Sequence, residues 1–264
     1  MSRFRNHPLS YIVIPFLLCL CVMILPSLCL ILLKSHGVKI DPVLFSAVWD
    51  IGEILLFSFL YFKVMKKSLF SDFKPMPWFW ILFVCSICLC WFDTELLAWY
   101  VIKNISNYGY DIYSNMVANN TGLYVFVALI LAPLSEELFF RGILYSVWRY
   151  SFRPVVCALC TSVLFAVSHG TVMHLPLAFI FGMFSAWLYE MTGSLLYSML
   201  AHMLSNFISF GTIIVLPNFV VTTPVFIILV LFSVLVLFLL WRYMKPIREY
   251  LTTEHLLDRL NRKE

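Results

Sequence analysis

The chain is a succession of apolar runs, each close to the length that crosses a bilayer, and this leaves few folds open to it. A membrane-spanning helix needs about 20 apolar residues, with a range of about 17–25. Eight candidate runs emerge: Tyr11–Leu33, Val43–Phe62, Trp78–Ile102, Leu123–Trp148, Val155–His169, Leu175–Met191, Leu195–Leu216 and Pro224–Trp241. The fifth and sixth are short, as expected of tilted, broken or incompletely spanning helices. Only 12% of the 264 residues are charged and 62% are hydrophobic, where a soluble domain carries about 25% charged residues. The expected fold is therefore all-α: a polytopic membrane helix bundle of about eight transmembrane helices, forming one integral membrane domain over residues 1–264.

Lysine and arginine placement predicts the orientation. With the N-terminus inside, 14 of the 18 basic residues fall in inner segments; Lys34, Lys39 and Lys103 fall outside and Arg141 lies within a span. Both termini are thus expected to be cytoplasmic, which requires an even number of spans. The basic N-terminus precedes an apolar run too long for the core of a cleavable signal peptide, so that run reads as the first span. Trp78, Trp80, Trp148 and Trp241 fall near span ends, as an aromatic belt requires. The net charge of +4 is spread over short runs beside apolar segments and does not point to nucleic acid. The eight cysteines lie in or beside apolar stretches and read as packing residues. Cys157-x-x-Cys160 has no second pair to complete a metal site.

Within the fourth run, Ser135-Glu136-Glu137-Leu138-Phe139-Phe140-Arg141 places three charges where each costs roughly 2.5–3.5 kcal/mol at the bilayer centre. Residues four apart share a helix face, so Glu137 and Arg141 are expected to pair. Neighbours diverge by about 100°, so Glu136 points elsewhere and needs another partner. Pro133 removes a backbone donor and is expected to kink the helix, helping to open Glu136 to a cavity. His169 closes the fifth run with Phe165 one turn below it, and His202 lies in the seventh with Asn206 one turn above. Polar groups left facing lipid would be costly, so Glu136, His169, His202 and Asn206 are expected to converge.

Such a constellation suits hydrolysis. Glu136 has the chemistry of a general base toward water, and the imidazoles and the carboxamide can hold that water and stabilise an oxyanion. The alternative is zinc on His169, His202 and Glu136, with one position open for water; spacing leaves both readings open. Other membrane-protease chemistries fit worse, because His-Glu-x-x-His and Gly-x-Ser-x-Gly are absent. A proton-relay transporter is disfavoured because no paired halves with matching Gly or Pro breaks are evident. Asp50, Glu53, Asp93, Glu95 and Glu190 are expected to be structural or interfacial.

In this order and in a polytopic chain, Glu136-Glu137-x-x-x-Arg141, Phe165-x-x-x-His169 and His202-x-x-x-Asn206 resemble the CAAX protease and bacteriocin-processing family (CPBP, also called Abi), the type II CAAX prenyl endopeptidase-like intramembrane proteases. The resemblance covers roughly Leu123–Leu216, the catalytic core (123–216) that it implies within the domain. It implies a glutamate-type intramembrane endopeptidase, although the family was long described as metal-dependent. Glu136 would be the base, His169 would help hold the water, His202 and Asn206 would form the oxyanion site, and Glu137, Arg141 and Phe165 would support them. No cofactor is then required. The implied partner is a membrane-associated peptide or protein substrate within the lipid bilayer. Eukaryotic members trim prenylated CAAX proteins; bacterial members process bacteriocins or confer immunity to them. A bacterial plasma-membrane protein is expected. The alternative is a non-proteolytic immunity or regulatory protein that binds a bacteriocin peptide or a sensor kinase.

Overall fold

A computed structural model describes residues 8–66, 68–69, 121–169, 175–215, 231 and 235. Six helices make up the described architecture, with no strand among the described residues: α1 (Pro8–Ser35), α2 (Pro42–Met65), α3 (Thr121–Trp148), α4 (Pro154–Ser168), α5 (Leu175–Thr192) and α6 (Leu195–Val215). They coincide within a few residues with six of the eight expected runs. The run Trp78–Ile102, most of Pro224–Trp241, the loop before α3 and the C-terminal tail, on which the expected eight spans and cytoplasmic termini rest, lie outside the described residues. Of the described helices, α1, α2 and α3 are long and apolar enough to cross a membrane, while α4 and α5 are shorter apolar helices.

Local chemistry sets several boundaries. Asp41 caps α2 by accepting from the Val43 N–H at 2.8 Å, and Pro42 occupies the first turn, where its missing donor costs nothing. The helix ends at Lys66, in the left-handed region at φ 52. Gly193, at φ 68, makes the tight reversal between α5 and α6, a conformation that glycine alone adopts without strain.

α3 is the axis of the bundle. The apolar window of α3 is 44% buried, against 6% for α1 and 17% for α2, so α3 faces protein while the other two turn most of their surface outward. An aromatic ladder joins the layers. Phe57 on α2 meets Phe139 at 5.1 Å between ring centroids, Phe139 meets Phe140 at 5.0 Å, and Phe140 meets Phe165 on α4 at 5.2 Å. Lipid tails are as apolar as these rings, so shape fit rather than water exclusion holds such helices together. α4 and α5 approach closely where a Cβ on Gly182 would stand 2.9 Å from the Ser162 Cβ.

α3 is not a uniform α-helix. It is π-wound over Val127–Leu131 and again over Leu138–Tyr145, with the α-helical stretch Ala132–Glu137 between them. The expected break at Pro133 is thus absorbed as a change of winding within a continuous helix. π segments concentrate at functional sites, and here they flank the two glutamates.

Candidate active site

The pairing expected from four-residue spacing is present. Arg141 Nη1 donates to Glu137 Oε1 at 3.0 Å, and both side chains are wholly buried. Neither is satisfied by the other alone. Arg141 Nη2 donates to the Gly182 carbonyl on α5 at 2.9 Å. Glu137 accepts from Ser185 Oγ of α5 at 2.7 Å on Oε2 and is 3.0 Å from His202 Nδ1 of α6 on Oε1. An ionised carboxylate only accepts, so His202 is the donor in that contact. One carboxylate thereby ties α3, α5 and α6 together.

Glu136 differs from its neighbour in every respect that matters for chemistry. Its side chain keeps 30% of its surface accessible, against none for Glu137. Its Oε2 stands 3.7 Å from His202 Nε2, too long for a direct hydrogen bond and too close for a water to fit in line between them. His202 therefore lies between the glutamates, one ring nitrogen toward each. Asp50 and Glu53 of α2 are within electrostatic range of Glu136, and Glu53 also accepts from Trp49 Nε1 at 2.7 Å.

Phe165 is the floor of the site. Its ring is 4.7 Å from the His169 ring, 5.8 Å from the His202 ring and 4.7 Å from the Arg141 guanidinium carbon. Phe181 of α5 closes the other side of His202 at 4.5 Å. His169 follows the last turn of α4, where Nδ1 is bonded to the Phe165 carbonyl at 2.8 Å. Asn206 stands one turn beyond His202, and its Nδ2 donates to the Ala128 carbonyl of α3 at 2.8 Å. The structure therefore gathers Glu136, Glu137, Arg141, Phe165 and His202 directly and attaches His169 through Phe165. Among the described residues no hydrogen bond joins His169 or Asn206 to Glu136, and no three His, Cys, Asp or Glu side chains converge as metal ligands do.

Residues 118–208 match the family model described as type II CAAX prenyl endopeptidase, Rce1-like. The resemblance carried by the three motifs is thus shown for the segment that holds α3, α4, α5 and most of α6. No curated protein and no solved structure gives a significant match. The Rce1-like family is a membrane-embedded protease family, in keeping with a site made by helices of this kind. The Rce1-like segment also contains α5 residues that the motifs do not name: Phe181, Gly182 and Ser185. Their only sign in the sequence is the Gly182-x-x-Ser185 pair of small residues on one helix face, a pattern equally at home in plain helix packing.

A second polar node closes the far end of α3. Arg149 binds Glu190 through two nitrogens, Nε to Oε2 at 2.9 Å and Nη2 to Oε1 at 3.0 Å, and Tyr145 donates to Glu190 Oε2 at 2.8 Å. Burial works against the Arg149 charge, but the hydrogen bond and charge of Glu190 outweigh it and hold the guanidinium pKa above its ordinary value. The structural part expected of Glu190 is what this clamp provides.

Proposed function

We propose that the chain is an intramembrane endopeptidase in which Glu136 activates water. The observation that carries this reading is the contrast between the two adjacent glutamates: Glu137 is sealed and fully bonded, whereas Glu136 is accessible and lies 3.7 Å from His202 Nε2 with no direct hydrogen bond. Glu136 takes a proton from water, and the resulting hydroxide attacks the carbonyl carbon of the scissile bond. As the C–N bond breaks, Glu136 returns the proton to the leaving amine. His169 helps to hold the water. His202 and the Asn206 amide N–H not used by Ala128 stabilise the oxyanion. With Nδ1 committed to Glu137, His202 donates from Nε2 only in its doubly protonated form.

The substrate in this reading is a membrane-associated peptide or protein, and the host is bacterial, with about eight spans and both termini cytoplasmic. The test is cleavage of a quenched, farnesylated CAAX-type peptide by the full chain in lipid vesicles. Peptidomics of cell membranes with and without active protein complements it. Glu136→Gln should lower turnover at least about 100-fold, the scale of a lost general base, while the variant still inserts and folds. A folded Glu136→Gln protein that cleaves at the wild-type rate overturns the reading. Activity that survives dialysis against a strong chelator supports the glutamate mechanism; activity lost there and restored by zinc supports the metal alternative. A protein that confers its cellular phenotype equally well with Gln at position 136 is the non-proteolytic regulator or immunity protein.

A further inference from the structure

The Asn206 amide sits on a backbone carbonyl inside α3, and the winding there explains why. In the first π segment the Ala132 N–H bonds to the Val127 carbonyl, five residues back. The next donor in that register, at position 133, would serve the Ala128 carbonyl. Position 133 is proline and has no N–H. The Ala128 carbonyl is therefore orphaned by the combination of a π turn and a proline, and this is the carbonyl that Asn206 Nδ2 reaches at 2.8 Å from α6.

We infer that Asn206 is a positioning residue: its side chain replaces the backbone donor missing at Pro133 and so clasps α6 to the stretch of α3 that carries Glu136. An unsatisfied carbonyl in a lipid-excluded or lipid-facing interior has no water to turn to, so the clasp is used wherever the helix is folded. It also sets registry. Asn206 is one turn from His202 on α6, and Ala128 is two α-helical turns before Glu136 on α3. Holding the first pair of residues together fixes how closely His202 Nε2 can approach Glu136. This goes beyond the reading of Asn206 as an oxyanion donor, and it depends on the proteolytic reading only where cleavage is measured.

The test is a double-mutant cycle in the full chain, read as the thermal unfolding midpoint in detergent micelles. Asn206→Ala should lower the midpoint by roughly 4 °C, as loss of one hydrogen bond to a buried acceptor does in a chain of this size. Pro133→Ala restores an N–H at the vacant position. It should change the wild-type protein little but return at least half of the loss in the Asn206→Ala background. Where Asn206→Ala accumulates too little to melt, recovery of membrane-inserted protein by Pro133→Ala is the readout. Ser185→Ala, which weakens the bundle through Glu137 instead, should gain nothing from Pro133→Ala. Equal losses for Asn206→Ala with and without Pro133→Ala overturn the clasp. So does a Pro133→Ala gain that is just as large in the Ser185→Ala background, since that would mark a general stabiliser. Cleavage of the farnesylated peptide is scored separately: a double variant that is stable and inactive speaks for the oxyanion role of the second amide N–H. A double variant that is stable and fully active shows that Asn206 acts through the α3 backbone alone.

Discussion

Two adjacent carboxylates of the same chemistry have opposite fates because one faces inward to donors and the other faces a partly open space. That difference is measurable. A water-soluble carbodiimide with a small amine should modify Glu136 and leave Glu137 untouched in the folded protein, as read by peptide mass spectrometry; equal labelling would mean that Glu137 is not sealed. Removing one side of the buried pair leaves the other charge uncompensated, at a cost of about 3–5 kcal/mol. Glu137→Ala and Arg141→Ala should therefore deplete folded protein in membranes. Arg141→Lys should do nearly the same, since a single ammonium lacks the planar fork that reaches both Glu137 and the Gly182 carbonyl. The Glu137–Arg141 pair was legible in the sequence because four-residue spacing is a local rule. Ser185 and the Gly182 carbonyl were not, because they arrive from a helix more than forty residues away and their residue types are common at any packing face.

At the scale of the helix, the bounds of α1 to α6 were legible from apolar run length, and the winding of α3 was not. A uniform period of 3.6 residues predicts a kink at Pro133; its effect is instead taken up by the π turn before it and by a donor from α6. Phe165 was legible only as a neighbour of His169. Its place under both imidazoles and the Arg141 guanidinium depends on how α4 meets α3 and α6. The α4–α5 contact allows its own test. Gly182→Ala places a methyl group 2.9 Å from the Ser162 Cβ and 3.0 Å from its Cα, so the helices must part. The expected cost is about 1–3 kcal/mol, seen as a lower unfolding midpoint. Adding Ser162→Gly should recover part of it, since the clash with the Cα remains; a neutral Gly182→Ala would show that the two helices are not packed this closely.

Over the whole molecule, two polar nodes lie along α3, and their separation reports depth. Glu137 and Arg149 are twelve residues apart, at most about 18 Å at the α-helical rise and less through the π-wound stretch between them. If Arg149 lies at the inner membrane face, as positive charge favours, Glu137 lies near the middle of a hydrocarbon core about 30 Å thick. Val163 on α4 tests this, because it is 49% exposed in the isolated chain on an apolar helix expected to lie in the bilayer. A cysteine at Val163 should resist a membrane-impermeant maleimide, whereas a cysteine at the exposed Ser151 should react in inside-out vesicles. Ready labelling at position 163 would place the site in water. The joint carried by Glu137 has a last consequence for how such proteins diverge. In the proposed reading anchorage and hydrolysis reside on neighbouring but separate acids, so a descendant can discard Glu136 and stay intact, yet cannot discard Glu137. Lineages that have abandoned peptide cleavage while keeping the scaffold should therefore retain the second glutamate, the arginine and the α5 serine, and show drift first at the position before them.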